Sequence, residues 1–344
     1  MTNQVHPRPI PNVTVVMSPR ERFSLTQRSI ESLFSDLSVP FDFICVDGGS
    51  PPSVRDYLQR DAALRSFRLI RTDYYLTPNE ARNLATKQVR TRYVVFIDND
   101  VVVAPGWLGN LLRCAEETNA DIVAPLTCIG ETMHARVHMA GGEARITQEN
   151  GRRVFRESHY FPDRPVAEVR DKLDRGPCEL AEFHCMLTRK SVLDRLGPLD
   201  ENLKAVAEHT DFCLTVRRAG GTVIFEPNAV VTNVVGPPLA LSDIPYFYYR
   251  WSDDWAVNSE RYFHEKWGTV FNDNIFRQFV VPHRRHALPR LRRFVRTLVG
   301  WRISEFLFDR LARLVTWWPK RRRERLLTPP SGAATSQSIA AGHQ

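Results

Sequence analysis

Nowhere do the 344 residues hold an uncharged apolar run of about 18 residues, the length a spanning helix needs, so no membrane crossing is expected. Met1–Asn12 is polar and proline-bearing and lacks an apolar leader core, so no signal peptide is expected either. The six cysteines (Cys45, Cys114, Cys128, Cys178, Cys185, Cys213) form no Cys-x-x-Cys pair, and a zinc site is not expected from them. Scattered through apolar stretches, they suit reduced thiols and a cytoplasmic setting. Glycine is missing from Ser18-Pro19-Arg20-Glu21-Arg22, where a phosphate-cradling loop would need it. Internal repeats are absent as well. With 43% apolar and 25% charged residues, what remains is a globular chain with material for one large core or two small ones.

The net charge of +8 is unevenly spread. Residues 283–326 hold 14 Arg and Lys against 3 Asp and Glu, which leaves the rest of the chain mildly acidic. In this stretch Leu291, Phe294, Val295, Leu298, Trp301, Glu305 and Phe308 recur every three or four positions, with Arg292, Arg293, Arg296 and Arg302 between them. That spacing predicts one or two amphipathic helices, broken near Gly300 and closed by Trp317-Trp318-Pro319-Lys320-Arg321-Arg322-Arg323. A basic helix with bulky apolar residues opposite suits an anionic membrane surface. A helix packed on the domain with a solvated basic face is the other reading, and nucleic acid is not the expected partner. Residues 1–11 are expected to be a flexible N-terminus, and 327–344, rich in Ser, Ala and Gly, a disordered tail.

The most informative stretch is Val94-Val95-Phe96-Ile97-Asp98-Asn99-Asp100. An apolar strand runs into two carboxylates whose i, i+2 spacing turns both to one side of an extended chain. Val13–Met17 and Phe43–Val46 are further short strands, the latter ending in Asp47-Gly48-Gly49-Ser50; Arg68–Arg71 reads as another. Helices are predicted near Thr26–Leu37 and over Pro78–Gln88. This alternation implies a largely parallel sheet flanked by helices, with polar residues gathered at the carboxyl edge where α/β sheets bind ligands. Hard oxygen donors there suit a divalent ion such as Mn²⁺ or Mg²⁺.

These motifs resemble family 2 glycosyltransferases of the GT-A fold. Val46-Asp47-Gly48-Gly49-Ser50 is similar to the family's Asp-x-x-Ser, Ala81-Arg82-Asn83-Leu84 to its Arg-Asn helix, and Asp98-Asn99-Asp100 to its Asp-x-Asp. Downstream, Cys185–Leu193, Gly197-Pro198-Leu199-Asp200-Glu201 and Glu208-His209-Thr210-Asp211 follow its acceptor-side segments, so the likeness spans roughly 12–236. It implies an α/β GT-A domain over 12–282, divided into a nucleotide-sugar half (12–105) and an acceptor half (106–282). It also implies a nucleotide-sugar donor, a glycan or lipid-linked acceptor, and inversion at the anomeric carbon. Asp47, Arg82, Asp98 and Asn99 are the donor-binding candidates, and Asp98, Asp100 and Asn233 the metal ligands. Glu208, His209 and Asp211 compete as general base, with helix capping the plainer role for Glu208 and Asp211.

The chain departs from the family pattern twice. His209 stands where inverting members carry the basic Asp, and Asn233 where a metal-binding His often stands; an amide oxygen is the poorer donor. These departures leave open a nucleotide-sugar binder without activity, and the shared α/β sheet and metal aspartates leave open a nucleotidyltransferase. Residues 131–180 show the least pattern, and Arg152–Arg175 reads as a long mobile loop. His134, His138, His159 and His184 lie in or beside it, but their spacing makes no metal motif and none is assigned a role. The protein is expected in the cytoplasm, peripheral to the inner face of the membrane.

Overall fold

The computed structural model describes residues 12–235, 238–285 and 287–327. The expected flexible N-terminus lies outside the described residues, as does the expected tail except for Leu327. The first half is a β/α alternation: β1 (Val13–Ser18), α1 (Thr26–Ser35), β2 (Asp42–Gly48), α2 (Pro52–Arg65), β3 (Arg68–Thr72), α3 (Pro78–Thr86) and β4 (Tyr93–Asp98). β1 and β4 are buried at every position, as apolar runs in a two-sided sheet should be. α2 was not anticipated. It buries only Leu58 and Asp61, so no apolar stripe announces it, although Pro52 in the first turn is a legitimate start signal.

After Asp98 the chain turns through Asn99-Asp100 into β5 (Val101–Val103), then α4 (Trp107–Thr118), β6 (Ile122–Ile129) and β7 (Val137–Met139). Next come β8 (Gly142–Glu149), β9 (Arg152–His159), the short α5 (Val166–Val169), β10 (Gly176–Cys178), β11 (Cys185–Arg189), α6 (Lys190–Leu196), α7 (Glu208–Arg218) and β12 (Val223–Asn233). The long loop expected over 152–175 is therefore largely structured. β8 and β9 form a two-stranded antiparallel ribbon that pairs Gly142 with His159 and Glu149 with Arg152. Its turn is Asn150-Gly151, both at positive φ (48° and 75°), the strongest short hairpin signal a sequence offers. Most β9 side chains are solvated, so no apolar alternation betrays the strand.

The main sheet has ten strands in the order β10-β12-β6-β11-β4-β1-β2-β3, with β5 and β7 joined at its side. β4, β1, β2 and β3 are mutually parallel, whereas β11 runs antiparallel between β4 and β6. Strand order reverses at β1, which takes β2 on one side and β4 on the other. Ser18 and Asp98 are paired at that switch point. Apolar cores fill both faces of the sheet, one containing Phe96, Met186 and Phe212, the other Ile97, Trp107 and Leu187. The six thiols are free.

The chain ends in α8 (Ile244–Arg250), α9 (Asn258–Trp267), α10 (Asp273–Arg285) and α11 (Pro289–Leu327). α11 kinks at Gly300 (φ 78°), where a break was expected. The boundary expected at 282/283 falls inside α10. α11 packs on α8 and reaches back to the N-terminal half, Arg323 binding the Tyr75 carbonyl and Glu80. Phe308 is buried under the Arg292 guanidinium, 4.1 Å away. The segment is thus packed on one side and apolar and exposed on the other. Phe308→Ala should lower stability by about 3 kcal/mol, while Leu298→Ala should change it by about 0.5 kcal/mol or less. Denaturant midpoints of the pair check this; equal, small effects would mean that the helix is undocked in solution.

Candidate active site

Asp98 is fully buried at the end of β4 and accepts from guanidinium groups on two sides: Arg82 Nη2 at 3.0 Å and Arg20 Nη1 at 3.1 Å. Arg82 comes from α3, a helix fixed by a Thr77–Glu80 capping box with Pro78 in its first turn. Its guanidinium also lies 4.0 Å over the Phe183 ring. Burial alone would raise the Asp98 carboxyl, but Arg20, a contact from His184 and Arg82 hold it well below the usual carboxylate range. Burial in turn pushes Arg82 down, with Asp98 and Glu208 opposing.

Asp100 lacks such partners. It is 3% exposed, its Oδ1 has no hydrogen-bond partner, and burial together with the Asp98 charge pushes its carboxyl up to about 7. A buried carboxylate in that condition calls for a cation. The atoms around it fit one. A ligand atom each from Asp98, Asp100 and His184 lies within 4.8 Å of the others. Asn233, at the end of β12, joins them: its Nδ2 is 3.2 Å from His184 Nε2, and its buried Oδ1 is unpartnered. The backbone bond from Val234 N to Asp100 O (2.9 Å) fastens the strand end to the turn. His184, buried and pushed down to about 4 chiefly by burial and Arg20, is a neutral imidazole, the form that ligates metals. The set of carboxylate, amide and imidazole donors suits Mn²⁺ or Mg²⁺.

His184 was given no role on sequence grounds. It directly precedes β11, and only the antiparallel register of β11 on β4, with Asp98 N bonded to His184 O at 3.2 Å, carries it to Asp98. Glu182, two residues earlier, and Arg20 and Arg250 were likewise missed, because their roles come from topology rather than spacing.

The three base candidates separate in space. Asp211 is engaged structurally, accepting from Trp267 Nε1 and Lys266 Nζ, each at 2.8 Å. Glu208 is buried between Arg82 (4.0 Å) and Arg250 (3.9 Å), which hold its carboxyl low against the effect of burial. His209 Nε2 is buried without a hydrogen-bond partner, 3.9 Å from Glu182 Oε1. α7 begins after Ala207, a residue in the left-handed region (φ 62°), and has no side-chain N-cap bond. Glu208 and His209 are therefore presented by a strained corner of the kind that recurs at functional sites. A pocket of about 490 Å³ opens beside Glu208 and Asp211, lined also by Asn83, Asp200 and Lys266.

Two other predicted residues hold the frame. Asp47 accepts from Ser50 N and Oγ, both at 2.9 Å, and from Arg71, so the Asp-x-x-Ser motif is a closed turn. Gly49 in that turn is at φ 76°, and a Cβ there would stand 3.0 Å from the Tyr74 backbone. Asn99 accepts from Arg20 N (3.0 Å) and donates to Arg22 O (2.8 Å) and Thr26 Oγ1 (2.9 Å), clasping the loop that carries Arg20.

Residues 14–197, just over half of the chain, match the model of the family described as Glycosyl transferase family 2. The chain belongs to that family. It is similar to pre-mycofactocin glycosyltransferase of Mycobacterium tuberculosis, in strains CDC 1551/Oshkosh and ATCC 25618/H37Rv alike, at 27% identity over 238 residues. That match takes in 66% of this chain but 45% of the relative, so the family 2 chain spans less than half the length of these curated relatives. Among solved structures it is similar to GalNAc-T7, crystallised with UDP, GalNAc and Mn²⁺. The TM-score is 0.53 at 12% identity, covering 81% of this chain and 55% of that one. At that identity the likeness concerns the fold: the α/β sheet with its flanking helices is the GT-A architecture.

Asn99→Ala removes three hydrogen bonds, two of them buried, and leaves their partners unsatisfied, so a loss of about 2–4 kcal/mol is expected. Protease susceptibility between residues 19 and 26 should rise in parallel. A stability within about 0.5 kcal/mol of the parent would show that the clasp is not made in solution.

Proposed function

We propose that this protein transfers a glycosyl group from a nucleotide sugar to an acceptor hydroxyl, inverting the anomeric carbon, with a divalent ion bound at Asp98, Asp100, His184 and Asn233. The observation that carries the reading is the buried Asp100 oxygen without a partner, set beside a neutral imidazole and an unpartnered amide oxygen at the switch point of a GT-A sheet. When bound, such an ion supplies Lewis-acid stabilisation of the departing diphosphate. The chain's own groups do the remainder. Arg20, 18% exposed and carried on the clasped loop, is placed to meet phosphate oxygens, whereas Arg82 is sealed below and acts by fixing Asp98. Asp47 and Asn99 shape the donor side through the turn and the clasp.

On the acceptor side His209 is the proposed base, with Glu182 orienting its ring and Glu208 setting the local charge. His209 is 16% exposed at the side chain and has a nitrogen without a hydrogen-bond partner. The bonds of Asp211 to Lys266 and Trp267 favour a structural role for it instead. Incubation with UDP-, GDP- and TDP-sugars should release nucleoside diphosphate. Pyrophosphate instead would indicate nucleotidyl transfer, and binding without turnover a sugar-nucleotide binder. Mn²⁺ should raise the melting temperature of the parent protein but not of Asp100→Asn, which should also lose turnover by at least about 100-fold. His209→Ala should lower turnover with little change in donor affinity; if Glu208→Gln has that signature and His209→Ala does not, Glu208 is the base.

We further propose that α11 rests on an anionic membrane surface, where a lipid-linked acceptor would be presented. Phe294, Leu298, Leu314, Trp317 and Trp318 are each at least 57% exposed, and Arg321 and Arg322 stack on the paired tryptophans. Exposed bulky side chains interleaved with guanidinium groups match the chemistry of headgroup and acyl boundary. No helix among the described residues is long and apolar enough to cross a membrane. The protein should sediment with phosphatidylglycerol vesicles but not with phosphatidylcholine ones, and high salt should release it only in part. Trp317→Ser with Trp318→Ser should weaken vesicle binding about tenfold or more. Indifference to anionic vesicles at low salt would refute the membrane reading.

A further inference from the structure

A second constellation lies beyond the Asp98 cluster. Glu182, in the approach to β11, has His138 Nε2 at 3.0 Å and His184 Nε2 at 3.8 Å from its Oε2, while its Oε1 faces His209. His159, at the end of β9, completes the group: one ligand atom each from His138, His159 and Glu182 lies within 4.8 Å of the others. The rings of His138 and His159 are 5.4 Å apart, as are those of His138 and His184. His138 lies on β7, His159 at the end of β9 in the stretch expected to be loop, and Glu182 before β11, so no spacing could have announced them.

Ordinary packing does not account for this cluster. Glu182 is 7% exposed, yet its Oε2 has no hydrogen-bond partner of good geometry. This buried carboxylate faces imidazoles on both of its oxygens, His138 and His184 at Oε2 and His209 at Oε1. His159 is in turn held by Glu157 at 3.3 Å, and Glu157 by the Thr210 hydroxyl at 2.9 Å. A carboxylate behind a histidine is the outer-shell support that metal-ligating imidazoles commonly have. Two imidazoles and one carboxylate are the protein ligand set of a catalytic-type zinc site. The absence of Cys-x-x-Cys pairs argues against a thiolate site, not against this one.

We propose that His138, His159 and Glu182 bind a second divalent transition-metal ion of the Zn²⁺ class, on the acceptor side of the Asp98 site and next to His209. The inference goes beyond the proposed transfer reaction and does not depend on it. His184 lies between the two sites, its Nδ1 3.4 Å from Asp98 Oδ2 and its Nε2 turned to Glu182. A metal on Glu182 Oε2 leaves Oε1 to face His209. The second ion would therefore fix the carboxylate that orients the proposed base.

The test is metal binding to the full-length protein, stripped with chelator and titrated with Zn²⁺, with bound metal counted by elemental analysis. Co²⁺ serves as the spectroscopic probe, its visible bands reporting nitrogen and oxygen ligation. The parent should bind two equivalents. His138→Gln and His159→Gln should each lose one, their Zn²⁺ affinity at that site falling about 100-fold or more. Asp100→Asn should keep the second equivalent and its Co²⁺ spectrum, so failure of the Asp98 site is distinguishable from failure of this one. Both histidines are partly exposed, on different strands, and either variant alone suffices if the other does not fold. Unchanged stoichiometry and affinity in the folded variants would overturn the proposal, as would a parent protein that binds no more Zn²⁺ than His138→Gln does.

Discussion

Asp98 and Arg82 are both removed from water at the switch point of the sheet, and the arrangement of the centre follows from what that burial demands. An isolated ion of either sign could not remain there, since a buried charge must be paired and hydrogen-bonded. Arg82 is consequently braced by Asn79 at 3.2 Å, by the Phe183 ring and by Glu208. Glu208 needs Arg250 as well, and Arg250 donates to the Ala205 carbonyl at 2.6 Å. Charge thus alternates from the donor edge of the sheet to the start of α7. Removing one member leaves its neighbour buried and uncompensated, which is why such pairs cost several kcal/mol to break even where they add little to net stability.

That alternation leaves one place where positive charge is short. Asp98 is compensated by Arg20 and Arg82, but Asp100, two residues on, faces the same negative neighbour, and the pull of Arg20 and Arg22 does not offset it. Its raised proton affinity and its unpartnered oxygen are the electrostatic and geometric sides of one deficit. Around Glu182 the deficit is met differently, by imidazoles that can be neutral or charged. The centre therefore has a region set by fixed guanidinium groups and a region whose charge depends on what binds there.

The parallel β/α half of the fold was legible because its strands are apolar runs ending in polar residues, and buried parallel strands cannot look otherwise. Asp98 and Asp100 were legible for the same reason, standing where a run of apolar residues stops. α2 was not, because a helix that buries Leu58 and little else carries no stripe. β9 reads as loop in the sequence despite the Asn150-Gly151 turn before it, since its mostly solvated side chains lack alternation. His184, Glu182, His138 and His159 were visible as residues but not as a group. They are joined by the antiparallel insertion of β11 beside β4 and by the return of β9 to Gly142, long-range pairings that leave no periodic trace in the sequence.

The two departures from the family pattern, His209 and Asn233, make sense together once these pairings are in place. Asn233 stands where the family often carries a histidine, yet a neutral imidazole is present at the cluster, supplied by His184 just before β11 with the Asn233 amide against its Nε2. His209 in turn replaces a carboxylate at a point where Glu208 and Glu182 already place buried negative charge. A third carboxylate between them would be forced toward its protonated form by like-charge repulsion and burial, as Asp100 is beside Asp98. An imidazole adds no third negative charge beside the two glutamates. The substitution is therefore one that the surrounding charges favour, and it sets an imidazole beside Glu182.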